Sequence, residues 1–265
     1  MLSTRDQYEM YQFLPGHCSA MIFLTSVHDV DDDKERQKRI EKLMDKAIAF
    51  AVACQTSRGG WGYIGAKEGG DYDDTYSTAT VLQALFAARK AGFTVPQKAL
   101  DRGVAYLVKA TNRDGGVIGS ISGGAVPLGN DGVPISTASA AAGLLMTAGQ
   151  RPTTLPSWVK NANATSAQQL RFLLAGGYYP MLQQLQMARM SFSLGELGHR
   201  KLDADVREAD LVKWSTHRAV LFKTLKELQK KDGSWLDPNF GGTYATAIAL
   251  VILQLDNEYL PAFAR

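Results

Sequence analysis

Cysteine is scarce here: Cys18 and Cys54 are the only two in 265 residues. Two thiols without CxxC spacing give no disulfide framework and no zinc knuckle, and both lie in apolar helical stretches where a thiol acts as a small hydrophobe. Histidine is equally sparse, and His17, His28, His199 and His217 are scattered with no ligand spacing among them. A zinc site is disfavoured on those grounds, and no metal or other cofactor is expected. No apolar run reaches the roughly 18 residues of a membrane span. The net charge is only +3 and the basic residues form no stripe, Lys34 to Lys46 being charge-rich but mixed in sign, which argues against nucleic acid as a partner. Sustained period-two alternation is missing, so no core strand is expected. The start, Met1-Leu2-Ser3-Thr4-Arg5-Asp6, lacks the charged-then-apolar order of a signal peptide. As written the chain reads as cytoplasmic. An absent N-terminal segment would make it secreted or periplasmic, and the compartment stays open.

What is present is a repeat. Lys46-Ala47, Phe50, Gln55 and Gly59-Gly60-Trp61 recur as Arg102-Gly103, Tyr106, Thr111 and Gly115-Gly116-Val117. The offset is 56 residues from Lys46 to Arg102, from Phe50 to Tyr106 and from Gly59 to Gly115. A third copy carries Leu225, Gln229 and Asp232-Gly233-Ser234-Trp235, about two periods further on. Each copy ends an amphipathic stretch. Ile40, Leu43, Met44, Ala47, Ile48, Ala51 and Val52 share one helical side, while Lys42, Asp45 and Lys46 take the other. Glycine then stops the helix. A second helix follows that is small and apolar all round, as in Thr78 to Ala88, Ser136 to Ala148 and Thr243 to Leu255. A helix of that kind is buried on every side.

The unit is therefore an outer helix, a glycine turn and an inner helix. Inner helices are expected near 16–28, 74–91, 134–149, 178–195 and 242–255, and outer helices near 34–54, 97–110, 158–175 and 211–230. The repeats fall near 16–54, 74–110, 134–175, 178–230 and 242–255 of one all-α domain spanning 1–265. Inner helices side by side, each backed by an outer one, curve into an α/α toroid.

The pattern Lys46-Ala47-x-x-Phe50-Ala51-x-x-x-Gln55-x-x-x-Gly59-x-Trp61 resembles the QW motif of squalene–hopene cyclases and related terpenoid cyclases. It departs from that motif at Ala51, where an aliphatic residue is expected. The resemblance runs over roughly residues 16 to 264. It implies the toroid superfamily that also holds protein prenyltransferases, complement-type thioester domains and bacterial repeat proteins of unassigned role. The tail from Ala245-Thr246-Ala247-Ile248 through Leu253-Gln254-Leu255-Asp256-Asn257 to Tyr259-Leu260-Pro261 is most similar to the last group. A closed ring of this family has six hairpins, against five inner and four outer helices here. The arc is thus open, or a partner chain or missing N-terminal segment completes it. Gln55, Trp61, Gln229 and Trp235 read as scaffold: the glutamine bonds free carbonyls at the outer-helix end and its amide stacks on the tryptophan.

Directly before an inner helix stands Gly69-Gly70-Asp71-Tyr72-Asp73-Asp74-Thr75. It resembles the DxDDT motif of class II terpenoid cyclases, whose middle aspartate protonates an alkene or epoxide. That resemblance implies Asp73 as the acid, supported by Asp71 and Asp74, acting on a polyisoprenoid. Such an acid must stay neutral until used, which crowded like charges in an apolar cavity achieve. Tyr76 departs from the motif, which usually has alanine there. The competing expectation is that Asp71, Asp73 and Asp74 cap the helix, face solvent and complement its dipole.

Asp31-Asp32-x-x-Glu35 matches a magnesium–diphosphate spacing, yet it opens a charged outer helix and reads as a solvated helix start. The stretches where prenyltransferases keep zinc ligands read Asp73-Asp74-Thr75-Tyr76 and Gly242-Thr243-Tyr244-Ala245, without cysteine or histidine, and Cys-Gly-Glu-Gln is absent. Aromatic residues gather at inner-helix starts: Tyr72 and Tyr76, Tyr178 and Tyr179, Phe240 and Tyr244. These rings are expected to line one mouth of a cavity, holding an isoprenoid or other apolar ligand, or simply to fill it. Two functions remain: acid-initiated cyclisation, or a non-catalytic toroid that binds a lipid, a peptide or a protein.

Overall fold

The computed structural model describes residues 13–28, 30–122, 137–150, 152–164, 180–202, 208, 211, 213–238 and 240–260. In order the helices are α1 (Phe13–His28), α2 (Lys34–Ala53), α3 (Thr75–Lys90), α4 (Gln97–Lys109), α5 (Thr137–Thr147), α6 (155–164), α7 (Pro180–Leu194), α8 (Gly198–Leu202), α9 (Trp214–Leu228) and α10 (Gly241–Leu253). A 3-10 turn follows at Leu255–Asn257. Among the described residues there is no strand, only isolated bridges pairing Trp61 with Asp74 and Asp237 with Gly241. The chain is all-α, as the periodicity requires. The short α8 was not expected, and the outer helix expected near 158–175 is described only to 164.

Two compact units divide the chain. The first comprises Met1–Thr111 with Ile118–Pro127 and a short C-terminal piece. Here α1 packs against α3, α2 lies on both, and α4 backs α3. Helix α3 buries 12 of its 16 residues, as a helix apolar on all sides must. Helix α2 buries Ile40, Met44, Ala47, Ile48 and Ala51 of the expected stripe, while Leu43 at its edge is exposed and Val52 is half-buried. His17 joins α1 to α2 by donating from Nε2 to Ala47 O at 3.0 Å, with its ring edge-on to Phe50.

The second unit holds Asn112–Val117 and Leu128–Tyr259. Its centre is α7, buried at 13 of 15 residues and packed against α5, α9 and α10. Gly143 lets α5 approach closely, since a Cβ there would sit 3.1 Å from Met190 N. Trp214, Leu221, Leu225 and Trp235 close against Ala245, Ile248 and Ile252 of α10.

The expectation of burial on every side fails for the first and last inner helices. Phe23 of α1 is 64% exposed, and Leu250 of α10 is 55% exposed beside exposed Ala247. The physical reason in α10 is that, among the described residues, its covered side is the one turned to α7 and to Leu221 and Leu225.

Candidate functional site

The glycine turns show what the repeat encodes. In each copy the backbone closes the same way: Thr56 N to Gly60 O at 2.9 Å, Asn112 N to Gly116 O at 2.8 Å, and Lys230 N to Ser234 O at 2.8 Å. Gly59, Gly115 and Gly233 all take left-handed φ values of 97°, 82° and 85°, which glycine alone adopts without strain. The second copy keeps this backbone although Thr111 replaces glutamine and Val117 replaces tryptophan.

The expected role of the glutamine needs correction. Gln55 Nε2 does not seek the end of its own helix. It donates to Gly59 O in the turn (2.8 Å) and to Ala99 O at the start of the next outer helix, α4 (2.9 Å). Tryptophan performs the back-reach instead: Trp61 Nε1 donates to Ala51 O at 2.8 Å, and Trp235 Nε1 to Leu225 O at 2.7 Å. Each of these tryptophans also anchors its inner helix, with Trp61 N bonded to Thr78 Oγ1 and Trp235 N to Thr246 Oγ1.

The acidic turn brings Asp71, Asp73 and Asp74 together at the start of α3 but gives each a separate task. Asp74 is the N-cap, accepting from Ser77 N at 2.6 Å. Asp71 adopts a left-handed φ of 61° and clamps the first glycine turn: Ser57 N and Ser57 Oγ donate to its carboxylate at 2.7 and 2.5 Å, and Arg58 at 3.1 Å. Asp73 does not cap the helix, and it does not face solvent. Its exposure is 0%.

Four donors converge on Asp73 Oδ1: Tyr106 Oη at 2.5 Å, Ile121 N at 2.8 Å, Ser120 Oγ at 3.1 Å and Ser122 N at 3.1 Å. Asp73 N returns a bond to Ser122 Oγ at 3.0 Å. Arg58 Nη1 lies 3.6 Å from Oδ2. Loop 118–122 is held over the helix start by these contacts and by Thr75, whose Oγ1 donates to Ile118 O at 2.7 Å. Burial alone would raise the Asp73 carboxyl, but the hydrogen bonds from Tyr106, Ser122, Ile121 and Ser120 outweigh it and hold it below the ordinary value. Burial and the neighbouring Asp73 charge push Tyr106 up, so its phenol keeps its proton. Asp74 goes the other way: burial raises it, with the Asp73 charge adding to the effect, against the bonds from Ser77 and Tyr76.

Tyr106, Ser120, Ser122 and Arg58 were absent from the sequence-derived site. Tyr106 carried a signal, because it occupies the motif position of Phe50 one period earlier. A hydroxyl added at a buried aromatic position calls for a hydrogen-bond partner. The loop residues carried none, since they meet Asp73 only through the fold.

The other candidates separate. Tyr72 is exposed and Tyr76 half-buried in the first unit. Phe240 and Tyr244 pair in the second, with ring centroids 4.7 Å apart. Tyr178 and Tyr179 lie outside the described residues. Asp31 is held by Arg36 at 2.7 Å, which lowers its carboxyl to about 2, while Asp33 caps α2. Among the described residues no group of histidine, cysteine, aspartate or glutamate is arranged to hold a metal, and no helix is long and apolar enough to cross a membrane.

No protein-family model matches the chain. A stretch of 72 residues, 27% of the chain, is 29% identical to the alpha-2-macroglobulin of Thermotoga maritima and covers 4% of that protein's length. In structure the chain is similar to a protein from Actinoplanes, with a TM-score of 0.53 at 20% identity, over 88% of this chain and 63% of that one. That likeness concerns the fold.

Proposed function

We propose that this chain is an α/α-toroid module that binds a partner polypeptide and does not cyclise isoprenoids. The toroid reading is supported by the three glycine turns, which use one set of bonds in three places, and by the partial likeness to alpha-2-macroglobulin, whose thioester domain is an α/α toroid. The QW-like residues Gln55, Trp61, Gln229 and Trp235 fit the terpenoid cyclase and prenyltransferase superfamily. Fold kinship carries no reaction with it.

The observation that supports binding over cyclisation is Asp73. An alkene-protonating acid has to carry its proton until substrate arrives. Asp73 is buried with four donors on Oδ1 and a carboxyl held below its ordinary value, so it is an anion that accepts. It fastens loop 118–122 and α4 to the start of α3. Asp74 is the one carboxyl here whose environment favours the neutral form, and a cyclase reading would run through it. Its bond to Ser77 N makes it a cap instead. The test is incubation of the purified chain with squalene and with geranylgeranyl diphosphate, followed by mass-resolved chromatography. No cyclised product is expected, and a product lost in Asp74→Asn or Asp73→Asn would overturn the reading.

A further inference from the structure

The first two glycine turns are occupied docking seats, and among the described residues the third is the same seat left open. On the first, a Cβ added to Gly59 would lie 2.7 Å from Arg102 O, so α4 rests its backbone on that glycine. Arg102 reaches down to Gln55 Oε1 (3.1 Å), Thr56 O (2.7 Å) and Ser57 O (3.0 Å). Gly103 lies over Leu82 of α3, where an added Cβ would come within 2.8 Å, and Leu82 is 0% exposed. On the second turn, Gly115 meets Ser157 O of α6 in the same manner. Gly59 and Gly115 are buried by these helices.

The third turn has the parts without the helix. Gln229 Nε2 donates to Gly233 O at 2.8 Å, as Gln55 does to Gly59 O. Gly233 is exposed, and among the described residues only the Gln229 side chain comes within 4.0 Å of a Cβ built there. Leu250 stands four residues after Thr246 as Leu82 stands four after Thr78, the two threonines that anchor the turns. Leu82 lies under α4, whereas its counterpart Leu250 is 55% exposed.

The geometry points to this seat as a binding site for one amphipathic helix of another polypeptide, carrying a basic residue followed by a small one. The first seat specifies that chemistry through Arg102 and Gly103, whereas Ser157 and Trp158 stand at the corresponding place on the second. A basic side chain answers Gln229 Oε1 and the carbonyls of Lys230 and Lys231, and a small residue lets the helix settle on Leu250. The proposal deepens the partner-binding reading, and the two fail separately. A cyclised product would remove the module reading whatever the seat does, whereas a seat that binds no helix leaves that reading standing.

The probe is the chain's own α4 sequence, Gln97 to Lys109, made as a fluorescent peptide stapled outside the Arg102 face. The staple is needed because a free helix of this length is marginal in water. Fluorescence polarisation against the intact protein should show saturable binding. Arg102→Ala or Gly103→Leu in the peptide should weaken it at least about tenfold, the scale of a lost interface anchor. Leu250→Glu in the protein should abolish it, and because Leu250 is exposed the variant keeps its helical circular dichroism. A peptide that is helical yet shows no saturable binding overturns the proposal. So does binding that Leu250→Glu leaves unchanged, and so does self-association of the protein that fills the seat with a second copy.

Discussion

A carboxylate with four donors on one oxygen is a strong local constraint, and Asp73 tests it directly. Asp73→Asn leaves Tyr106, Ser120 and two backbone N–H groups facing a neutral amide. Bonds to charged groups are worth more than neutral ones, so a loss of about 2–3 kcal/mol in urea denaturation at neutral pH is expected. The pH dependence has a definite sign. The folded carboxyl titrates below the ordinary 3.8, so its contribution is complete above that value and is lost as pH falls through the folded one. Stability curves of the wild type and Asp73→Asn should therefore converge in acid. Asp74 behaves oppositely, since its raised carboxyl favours folding below 3.8 and that contribution disappears as pH rises. Asp74→Asn keeps a cap acceptor without the charge and should match or exceed the wild type at neutral pH. Asp74→Ala removes the cap and should cost about 1 kcal/mol.

At the scale of elements the glycine turn sets how closely two outer helices approach. Gly59→Ala and Gly233→Ala separate two contributions. Both place a side chain at left-handed φ, at a cost of roughly 1–2 kcal/mol. Only Gly59→Ala also drives a methyl into the Arg102 carbonyl. Its melting temperature should fall further than that of Gly233→Ala, and equal losses would mean that α4 yields freely. The helices themselves were legible in sequence. Lys34–Ala53 and Thr75–Lys90 agree with the apolar spacing to within a residue or so, because periodicity and caps are local. The turn's donors and acceptors were not legible. Gln55 bonds Ala99, 44 residues away, and nothing near Gln55 in sequence announces that distance. The acidic run 71–74 was visible as a cluster, but its division into clamp, staple and cap depends on loop 118–122 lying over it.

In the whole molecule, the helices buried along their described length are α3 in the first unit and α5 and α7 in the second. Amides in such helices open only with the unit around them. Native-state hydrogen exchange should therefore find the slowest amides in α3, α5 and α7, with α1 and α10 faster because each has an exposed side. If α10 proved slowest in the second unit, its exposed face would have to be covered in solution. The expected burial of every inner helix came from composition, which records what a helix is made of and not how many neighbours it finds. Leu82 and Leu250 have the same character and opposite surroundings.

Where Gly59 meets the Arg102 carbonyl, the gap between successive outer helices is gauged by a single hydrogen atom. The second turn keeps the same gauge after losing both its glutamine and its tryptophan. A shift of one residue within the turn would put a side chain where that hydrogen sits and push the helix off its rest.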